Sequence, residues 1–261
     1  TQTQQRQRVE RVCVWHVQRH TVLFGLPQHL TVGPLTFARN FDWKDDLTLF
    51  RHDIEYVNES AQAHNLLALH IMQHFEKETD ANTKMVLANE ALTHFKKAQE
   101  IYPPFFNVAY DIGRVYSAIN QPDSAIVAFE YALSLNKDLP DIYLRLGDLY
   151  FSKNNFDKAA QHLKEYIKMS PLDINGYNRL SYTYYLLKQY DESIATNKKA
   201  ISTLPGFVEP YINIAHVFSD LKQRDSSMLY LREGEKKFPS NPQIIQAIEV
   251  LQKNVSPSFN K

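Results

Sequence analysis

Apolar, aromatic and small residues recur along this chain at a fixed spacing of 34 residues. An aromatic side chain occupies one such position in four successive copies, at Tyr116, Tyr150, Tyr184 and Phe218. Small residues occupy two others, at Gly113, Gly147, Ser181 and Ala215 and at Ala125, Ala159, Ser193 and Ser227. Proline recurs at Pro171, Pro205 and Pro239. A constant period of this length, with each residue type in a set phase, indicates repeats of two helices each.

The copy at residues 140–173 shows why the pattern predicts a helix pair. Apolar side chains fall on one face of a helix from Asp141 to Lys153, and a second helix is predicted from Asp157 to Met169. Gly147 is expected where the second helix comes close, because a larger side chain there would push the two helices apart. Asn154 is predicted in the turn. No such pair buries its apolar face alone, so neighbouring pairs must stack.

The phase divides the chain into regular units and less regular flanking segments. The regular units are predicted at 106–139, 140–173, 174–207 and 208–241. An irregular copy at 61–105 precedes them, with 11 extra residues around Glu76 to Val86 that form either a long loop or an extended helix. A capping helix at 242–254 and a tail at 255–261 follow, and the cap is predicted to turn inward Ile244, Ile245, Ile248 and Leu251. The predicted fold is all-α, a right-handed α-solenoid of about five helix-turn-helix units with a C-terminal capping helix.

The recurring residues resemble those of the tetratricopeptide repeat family. That family has a bulky residue, then Gly, Tyr, Ala, Phe, Ala and Pro, and the unit at 106–139 carries most of this pattern as Ile112, Gly113, Tyr116, Ala125, Phe129 and Ala132. The unit at 174–207 departs from it with Asn197 at the usual aromatic position, and Gly234 is predicted to weaken the second helix of the last unit. The resemblance implies a domain that binds proteins or peptides.

Composition and charge mainly exclude other classes of function. The 29 basic and 29 acidic residues balance, which removes a general attraction to nucleic acid or to anionic membranes. No run approaches the roughly 20 apolar residues that span a bilayer, and no glycine-rich phosphate loop occurs. The single cysteine, Cys13, excludes an internal disulfide framework. No catalytic constellation is recognisable and nothing in the sequence needs a cofactor, so we expect a soluble chain that is not itself an enzyme.

The segment before the repeats, predicted as a junction at 38–60, carries a second resemblance. It contains Arg39, Asn40, Asp42 and Trp43, followed by Leu49 and Phe50. This is similar to the junction between the membrane region and the repeats in the transmembrane and tetratricopeptide-repeat O-mannosyltransferase family. Over residues 38–254, the resemblance implies the soluble C-terminal portion of a membrane glycosyltransferase, which recruits acceptor proteins on the periplasmic or lumenal side. Catalytic residues would then lie in a membrane region outside this chain. The alternative is that Trp43, Leu47 and Phe50 only form an amphipathic cap on the first repeat.

Residues 1–37 do not fit this resemblance. The family places its last membrane span near this point, yet the segment carries several arginines, and Glu10 is its single acidic residue. An arginine-rich, acid-poor composition is typical of a transit peptide, although the usual serines are missing. We leave this segment unassigned, either as a leader or as a segment foreign to the native product.

The tetratricopeptide resemblance implies a concave binding face lined by the first helix of each unit. In that family the ligand contacts come from positions 2, 5, 6 and 9, which in the regular units are Asn107, Tyr110, Asp111 and Arg114; Asp141, Leu144, Arg145 and Asp148; Asn175, Asn178, Arg179 and Tyr182; and Glu209, Ile212, Asn213 and His216. The predicted peptide-binding residues are Asn107, Tyr110, Arg114, Arg145, Asp148, Asn175, Asn178, Arg179, Tyr182, Asn213 and His216. Arg114, Arg145 and Arg179 would form a basic ladder for carboxylates, while the asparagine amides would bond a peptide backbone. The alternative is that these arginines pair with neighbouring aspartates inside the protein.

Three histidines raise a remote alternative, a metal-dependent enzyme. His70 and His74 are four residues apart on one predicted helix, and His94 lies in the partner helix. Because no His-Glu-x-x-His motif accompanies them, the favoured interpretation is solvated or packing histidines.

Two functions therefore stay open from the sequence. One is a protein- or peptide-binding repeat domain that recruits acceptors for a membrane glycosyltransferase. The other is a free-standing repeat scaffold or adaptor in a multiprotein complex, which would be cytoplasmic. Both predict a protein or an extended peptide as the partner, a glycosylation acceptor in the first case, and neither predicts nucleic acid.

Overall fold

The structure is a computed structural model that describes residues 46–253. Within this range every regular element is a helix, which confirms the predicted all-α class. The unassigned segment at 1–37, the part of the junction that holds Trp43, and the tail at 255–261 lie outside the described residues. The chain falls into two compact units, each larger than a single repeat, which we call unit 1 and unit 2. They divide between Gln121 and Pro122.

Unit 1 contains, among its described residues, α1 (Asp46–Asp53), a 3-10 turn (Ile54–Tyr56), α2 (Ala61–Lys77), α3 (Ala81–Ile101) and α4 (Phe106–Ala118). Unit 2 contains, in its described part, α5 (Pro122–Leu135), α6 (Pro140–Ser152), α7 (Phe156–Met169), α8 (Ile174–Leu186), α9 (Tyr190–Thr203), α10 (Glu209–Asp220), α11 (Arg224–Lys237) and α12 (Pro242–Lys253). None of these described helices combines the length and hydropathy needed to cross a membrane.

The extra residues of unit 1 lengthen its central helix pair. Helix α2 has 17 residues and α3 has 21, and only Glu78 to Asp80 connect them. Of the two alternatives for the insertion, the extended helix is therefore correct. Asp80 caps the start of α3, because its carboxylate accepts a hydrogen bond from the backbone N–H of Thr83 at 2.7 Å. The fully buried core of the pair includes Leu67, Ile71 and Phe95.

Helix α1 packs over the start of unit 1 as an amphipathic cap. Leu47 is buried, and the ring of Phe50 stacks on His70 with centroids 4.3 Å apart. Arg51 donates two hydrogen bonds to the carboxylate of Glu90 on α3, at 2.7 and 2.6 Å. The described half of the predicted junction thus has the packing role expected from its pattern.

The turn inside each regular repeat contains one residue in the left-handed backbone region. These residues are Asn120, Asn154, Lys188 and Lys222, with φ of 55°, 57°, 58° and 59°. In unit 2 the next residue donates its N–H to the carbonyl of the recurring aromatic position, as from Asn155 to Tyr150 at 2.9 Å. This is the geometry that closes a helix C-terminus. The repeating aromatic therefore marks the end of the first helix as well as its packing face.

Gly147 and Gly234 each lie at a close approach of two helices in unit 2. At Gly147 on α6, an added Cβ would lie 2.8 Å from Cγ of Leu163 on α7, as the sequence predicts for this position. At Gly234 on α11, an added Cβ would lie 2.2 Å from Cδ1 of Ile244 on α12. The interpretation of Gly234 as a weak point of its helix was incomplete, since the missing side chain makes room for the capping helix.

The capping helix α12 buries most of its predicted inward residues. Ile244, Ile248 and Leu251 are buried, but Ile245 is 38% exposed. The inward prediction for Ile245 is wrong, because a residue one step along a helix is rotated by about 100° from its neighbour.

Candidate peptide-binding site

The exposed and half-buried side chains of α6, α8 and α10 form a surface of unit 2 that we call the first-helix face. Polar contacts between predicted residues join these helices: Arg179 on α8 pairs with Asp148 on α6, and Nδ2 of Asn213 on α10 donates to Oδ1 of Asn178 on α8 at 3.2 Å. Four residues predicted from the sequence thus come together on one face. The predicted residues Asn175 and Tyr182 are exposed on α8, and His216 is exposed on α10.

A buried asparagine supports the pair of Asn178 and Asn213. Asn197 on α9 is fully buried, and its Nδ2 donates to the carbonyl of Ser193 at 3.0 Å. Its Oδ1 accepts a hydrogen bond from Nδ2 of Asn213 at 3.3 Å. Asn197 stands where the repeat pattern expects an aromatic ring. This departure from the pattern therefore supplies a polar group that orients an amide of the first-helix face.

The arginines of the first-helix face are paired with aspartates. Arg145 pairs with Asp141 one turn earlier on α6, and Arg179 pairs with Asp148. The four side chains are between 38% and 47% exposed, and such exposed pairs contribute roughly 0–1 kcal/mol each. The basic ladder is thus not a row of unpaired cations, and the alternative of internal pairing describes it. A partner carboxylate could replace an aspartate here at small cost.

The predicted residues of unit 1 lie on α4. Arg114 is bonded to Asp111 at 3.0 Å and pairs with Glu76 of α2 at 3.7 Å. The ring of Tyr110 lies 6.4 Å from that of Phe106, and Asn107 is exposed. The arginine of this unit therefore also has carboxylate partners within the protein.

A row of aromatic rings continues the first-helix face along α6 and α8. The centroids of Phe151 and Tyr182 are 5.9 Å apart, and those of Tyr182 and Tyr185 are 6.0 Å apart. Tyr185 donates a hydrogen bond to the carboxylate of Asp220 on α10, which together with burial raises the pKa of Tyr185 to about 12. Sequence reasoning found Tyr182 but missed its two neighbours. The signal was present, because Phe151 and Tyr185 are themselves one period of 34 residues apart.

A cavity of about 440 Å³ lies between α10, α11 and α12. One side is formed by all four ligand positions of the last repeat, Glu209, Ile212, Asn213 and His216. The other side includes three residues of the capping helix, Gln243, Gln246 and Val250. The sequence analysis gave α12 no part in binding. No signal in the sequence pairs its glutamines with α10, because that pairing depends on how the cap packs.

The histidines considered as metal ligands do not converge. Nδ1 of His94 lies 2.9 Å from Nδ1 of His64, while His70 stacks on Phe50. Within residues 46–253, no group of three His, Cys, Asp or Glu side chains is placed to hold a metal ion. His70, His74 and His94 therefore do not form the metal site that the metal-dependent alternative required. Burial, and then the proximity of His64, lower the pKa of His94.

Comparison with known sequences identifies the repeats. Sequence profiles of the tetratricopeptide repeat match residues 120–181 and 174–203. These residues are tetratricopeptide repeats. Repeats of this type imply a role in binding proteins, as the sequence analysis expected.

Solved structures share the fold of this chain. YrrB, described as a TPR protein with an unusual peptide-binding site, superposes with a TM-score of 0.60 at 18% identity over 77% of this chain and 97% of its own. MamA from Desulfovibrio magneticus RS-1 gives a TM-score of 0.54 at 14% identity over 70% of this chain and 97% of its own. At these identities the likeness shows the fold, an α-solenoid of tetratricopeptide repeats.

One curated relative is named as an O-mannosyl-transferase. Protein O-mannosyl-transferase TMTC3 of Homo sapiens is 27% identical over an alignment of 159 residues that covers 54% of this chain. The matched part is 16% of TMTC3, so the chain spans only a small fraction of that protein's length.

Proposed function

We propose that this chain is a protein- or peptide-binding repeat domain whose binding surface is the first-helix face of unit 2. The observation that carries the proposal is the row of polar groups across consecutive repeats, from Asp148 and Arg179 to Asn178 and Asn213. Amide side chains both donate and accept hydrogen bonds, as an extended peptide backbone requires. The exposed ring of Tyr182 beside them adds contact area for an apolar side chain.

A test of binding compares two faces of the same unit in living cells. A photo-cross-linking amino acid placed at Tyr182 on the first-helix face should give adducts of defined mass. The same group at Lys164, exposed on α7, is the control and should give none. Equal labelling from both positions, or none from position 182, would contradict the proposal.

Charge removal on the face should weaken this binding without unfolding the protein. Replacing Arg145 and Arg179 together with alanine should lower the adduct yield several-fold, while the far-ultraviolet circular dichroism stays unchanged. The reason is that the two exposed ion pairs stabilise the fold by only about 0–1 kcal/mol each. A matched control with the same change in charge, Lys164→Ala with Lys199→Ala, should keep the yield. An unchanged yield in the arginine variant would show that the arginines do not contact the partner.

The partner in this proposal is an acceptor protein, and the context is a membrane glycosyltransferase. Support comes from the similarity to TMTC3 and from the arginine, asparagine and tryptophan of the junction. In that arrangement the catalytic groups belong to an attached membrane region, and the repeats hold the acceptor near it on the periplasmic or lumenal side.

The size of the native protein, and whether it is found in the membranes, test this context directly. Membranes and soluble extract are separated and probed by immunoblot with an antibody against the repeats. A membrane band far larger than the 30.4 kDa of this chain is expected. A soluble band near that mass would instead favour a free-standing scaffold in a multiprotein complex.

A further inference from the structure

The cavity between α10, α11 and α12 is lined by an acidic residue, Glu209, that has one unpartnered carboxylate oxygen. Glu209 is the one Asp, Glu, Lys or Arg residue among those that line this cavity. Its Oε2 atom is buried and, among the described residues, has no hydrogen-bond partner. A buried carboxylate oxygen in this state is unfavourable, because it has lost its hydration and gained no donor in return. A cationic donor that enters the cavity would relieve this cost.

The other polar groups of the cavity offer further acceptors. Asn213 uses Nδ2 to donate to Asn178 and to Asn197, at 3.2 and 3.3 Å, so the atom that it offers a ligand is its carbonyl oxygen Oδ1. Gln243 and Gln246 add side-chain carbonyls from α12.

The walls between these groups are apolar. They include Ile212, Ala247 and Val250. The volume of about 440 Å³ falls within the range of sites that take a small organic group. The site thus combines an acidic end, several acceptors and a hydrocarbon lining.

We propose that this cavity binds the arginine side chain of a peptide that lies along the first-helix face. A guanidinium group has five N–H donors and no acceptor, and it can bond a carboxylate such as that of Glu209 with two parallel hydrogen bonds. Its methylene stem would lie against the apolar walls. This inference rests on the proposed peptide-binding function and narrows the partner to a segment with an accessible arginine. A neutral or acidic side chain would leave Glu209 unpaired.

The test uses two tripeptides of nearly equal shape on the full chain. N-acetyl-Leu-Arg-Leu-amide and N-acetyl-Leu-citrulline-Leu-amide differ only in the guanidinium, which citrulline replaces with a neutral urea. Titration into the isotopically labelled protein should shift the backbone amide signals of residues 212–216 and 243–250. We expect the arginine peptide to bind at least five-fold more tightly than the citrulline peptide.

Two variants assign this preference to Glu209. Glu209→Gln keeps the shape of the side chain and should abolish the difference between the peptides. Glu249→Gln is the control, because Glu249 lies on the exposed side of α12 near Lys253, and it should keep the difference.

The outcomes separate this inference from the proposed function. If both peptides shift the cavity signals with equal affinity, peptide binding stands and the selection of arginine is wrong. If the arginine peptide shifts only signals outside residues 209–251, or none, the cavity is not the arginine site. Cross-linking from Tyr182 then still decides whether the first-helix face binds a partner.

Discussion

Gly147 and Gly234 each lie against a neighbouring helix, whereas Gly206 lies in open space, and this difference decides what each glycine does. An added Cβ at Gly147 would meet Leu163 at 2.8 Å, and at Gly234 it would meet Ile244 at 2.2 Å, whereas at Gly206 it would meet nothing within 4 Å. At the residue scale, absent side chains therefore set how closely α6 approaches α7 and how closely α11 approaches α12. Helix propensity alone would predict that replacing these glycines with alanine stabilises the protein, because alanine stabilises a helix relative to glycine by about 1 kcal/mol.

Replacing Gly147 with alanine should destabilise unit 2. The new methyl group would press on Cγ of the fully packed Leu163, and overpacking of this kind costs about 1–3 kcal/mol. Urea unfolding followed by circular dichroism would measure the change in the free energy of unfolding. Gly206→Ala is the matched control, and its effect should stay within about 0.5 kcal/mol. A stabilised Gly147→Ala variant would mean that α6 and α7 can move apart without losing packing free energy.

Replacing a left-handed turn residue with glycine should stabilise the protein. Lys188 and Lys222 have φ of 58° and 59°, a region that a side chain with a Cβ adopts only at a cost. Lys188→Gly should therefore raise the free energy of unfolding, by about 0.5–1 kcal/mol once the greater freedom of glycine in the unfolded chain is subtracted. The same substitution at Lys164, in the exposed middle of α7, should lower it by about 1 kcal/mol. If thermal unfolding shows equal effects at both positions, the left-handed backbone of Lys188 does not carry the expected cost.

At the scale of elements, a pair of histidines joins α2 to α3. Nε2 of His64 donates to the carbonyl of Asn58 at 2.9 Å, which leaves Nδ1 of His64 as the acceptor for the Nδ1–H of His94. His64 is buried, and burial lowers the pKa of His94 below its ordinary value of 6.5. The histidines found in the sequence as metal candidates thus include one whose role is to pack two long helices together.

The helix pair should therefore become less stable in mild acid. Because the pKa of His94 is lower in the folded state, its stabilising contribution is complete above the unfolded pKa of about 6.5 and is lost as pH falls through the folded pKa. Burial also lowers the pKa of His162 in unit 2, so the readout must be local. Amide hydrogen exchange in α2 and α3, corrected for intrinsic rates, should show protection that falls from about pH 7.5 to about pH 5. His94→Gln should flatten this pH dependence, whereas His74→Gln, at an exposed position, should not. If protection changes with pH equally in the unchanged protein and in both variants, His94 is not responsible for the dependence.

At the scale of the whole molecule, stability is distributed along the chain rather than collected in one centre. In unit 2 the well-packed helix pairs are next neighbours or next-but-one neighbours. Leu163, Tyr177 and Leu180 are buried in one cluster of this stack, and Ile244 is buried in another. An array that packs only on its neighbours should respond locally to damage, because no side chain reaches across several repeats.

A cavity made at the end of the stack should test this locality. Ile244→Ala removes a fully buried side chain and should cost about 2–4 kcal/mol. Hydrogen exchange should quicken in α10, α11 and α12 and stay unchanged in α6 and α7. Ile245→Ala is the matched control, because Ile245 is 38% exposed, and its cost should stay within about 0.5 kcal/mol. Faster exchange throughout unit 2 would show that the stack unfolds as a single cooperative body.

Much of the architecture follows from the sequence by itself. The period of 34 residues places the helix pairs, the turn at Asn154 and the close approach at Gly147. These features are local: a helix face, a left-handed turn and a small residue opposite the next helix are all set within one repeat. The positions predicted to face a ligand follow from the same phase, which is why Asn178 and Asn213, which the structure brings into contact, could be named together.

The tertiary structure decided which polar side chains have partners within the protein and which remain available to a ligand. It pairs Arg179 with Asp148, places Asn197 in contact with Asn213 of the first-helix face, and brings the capping helix against Glu209 to form a cavity. Each of these outcomes joins residues of different helices, and some lie more than thirty positions apart. The spacing within a repeat says which face a side chain occupies, but the partner that it meets depends on the angle and distance at which the next helix packs.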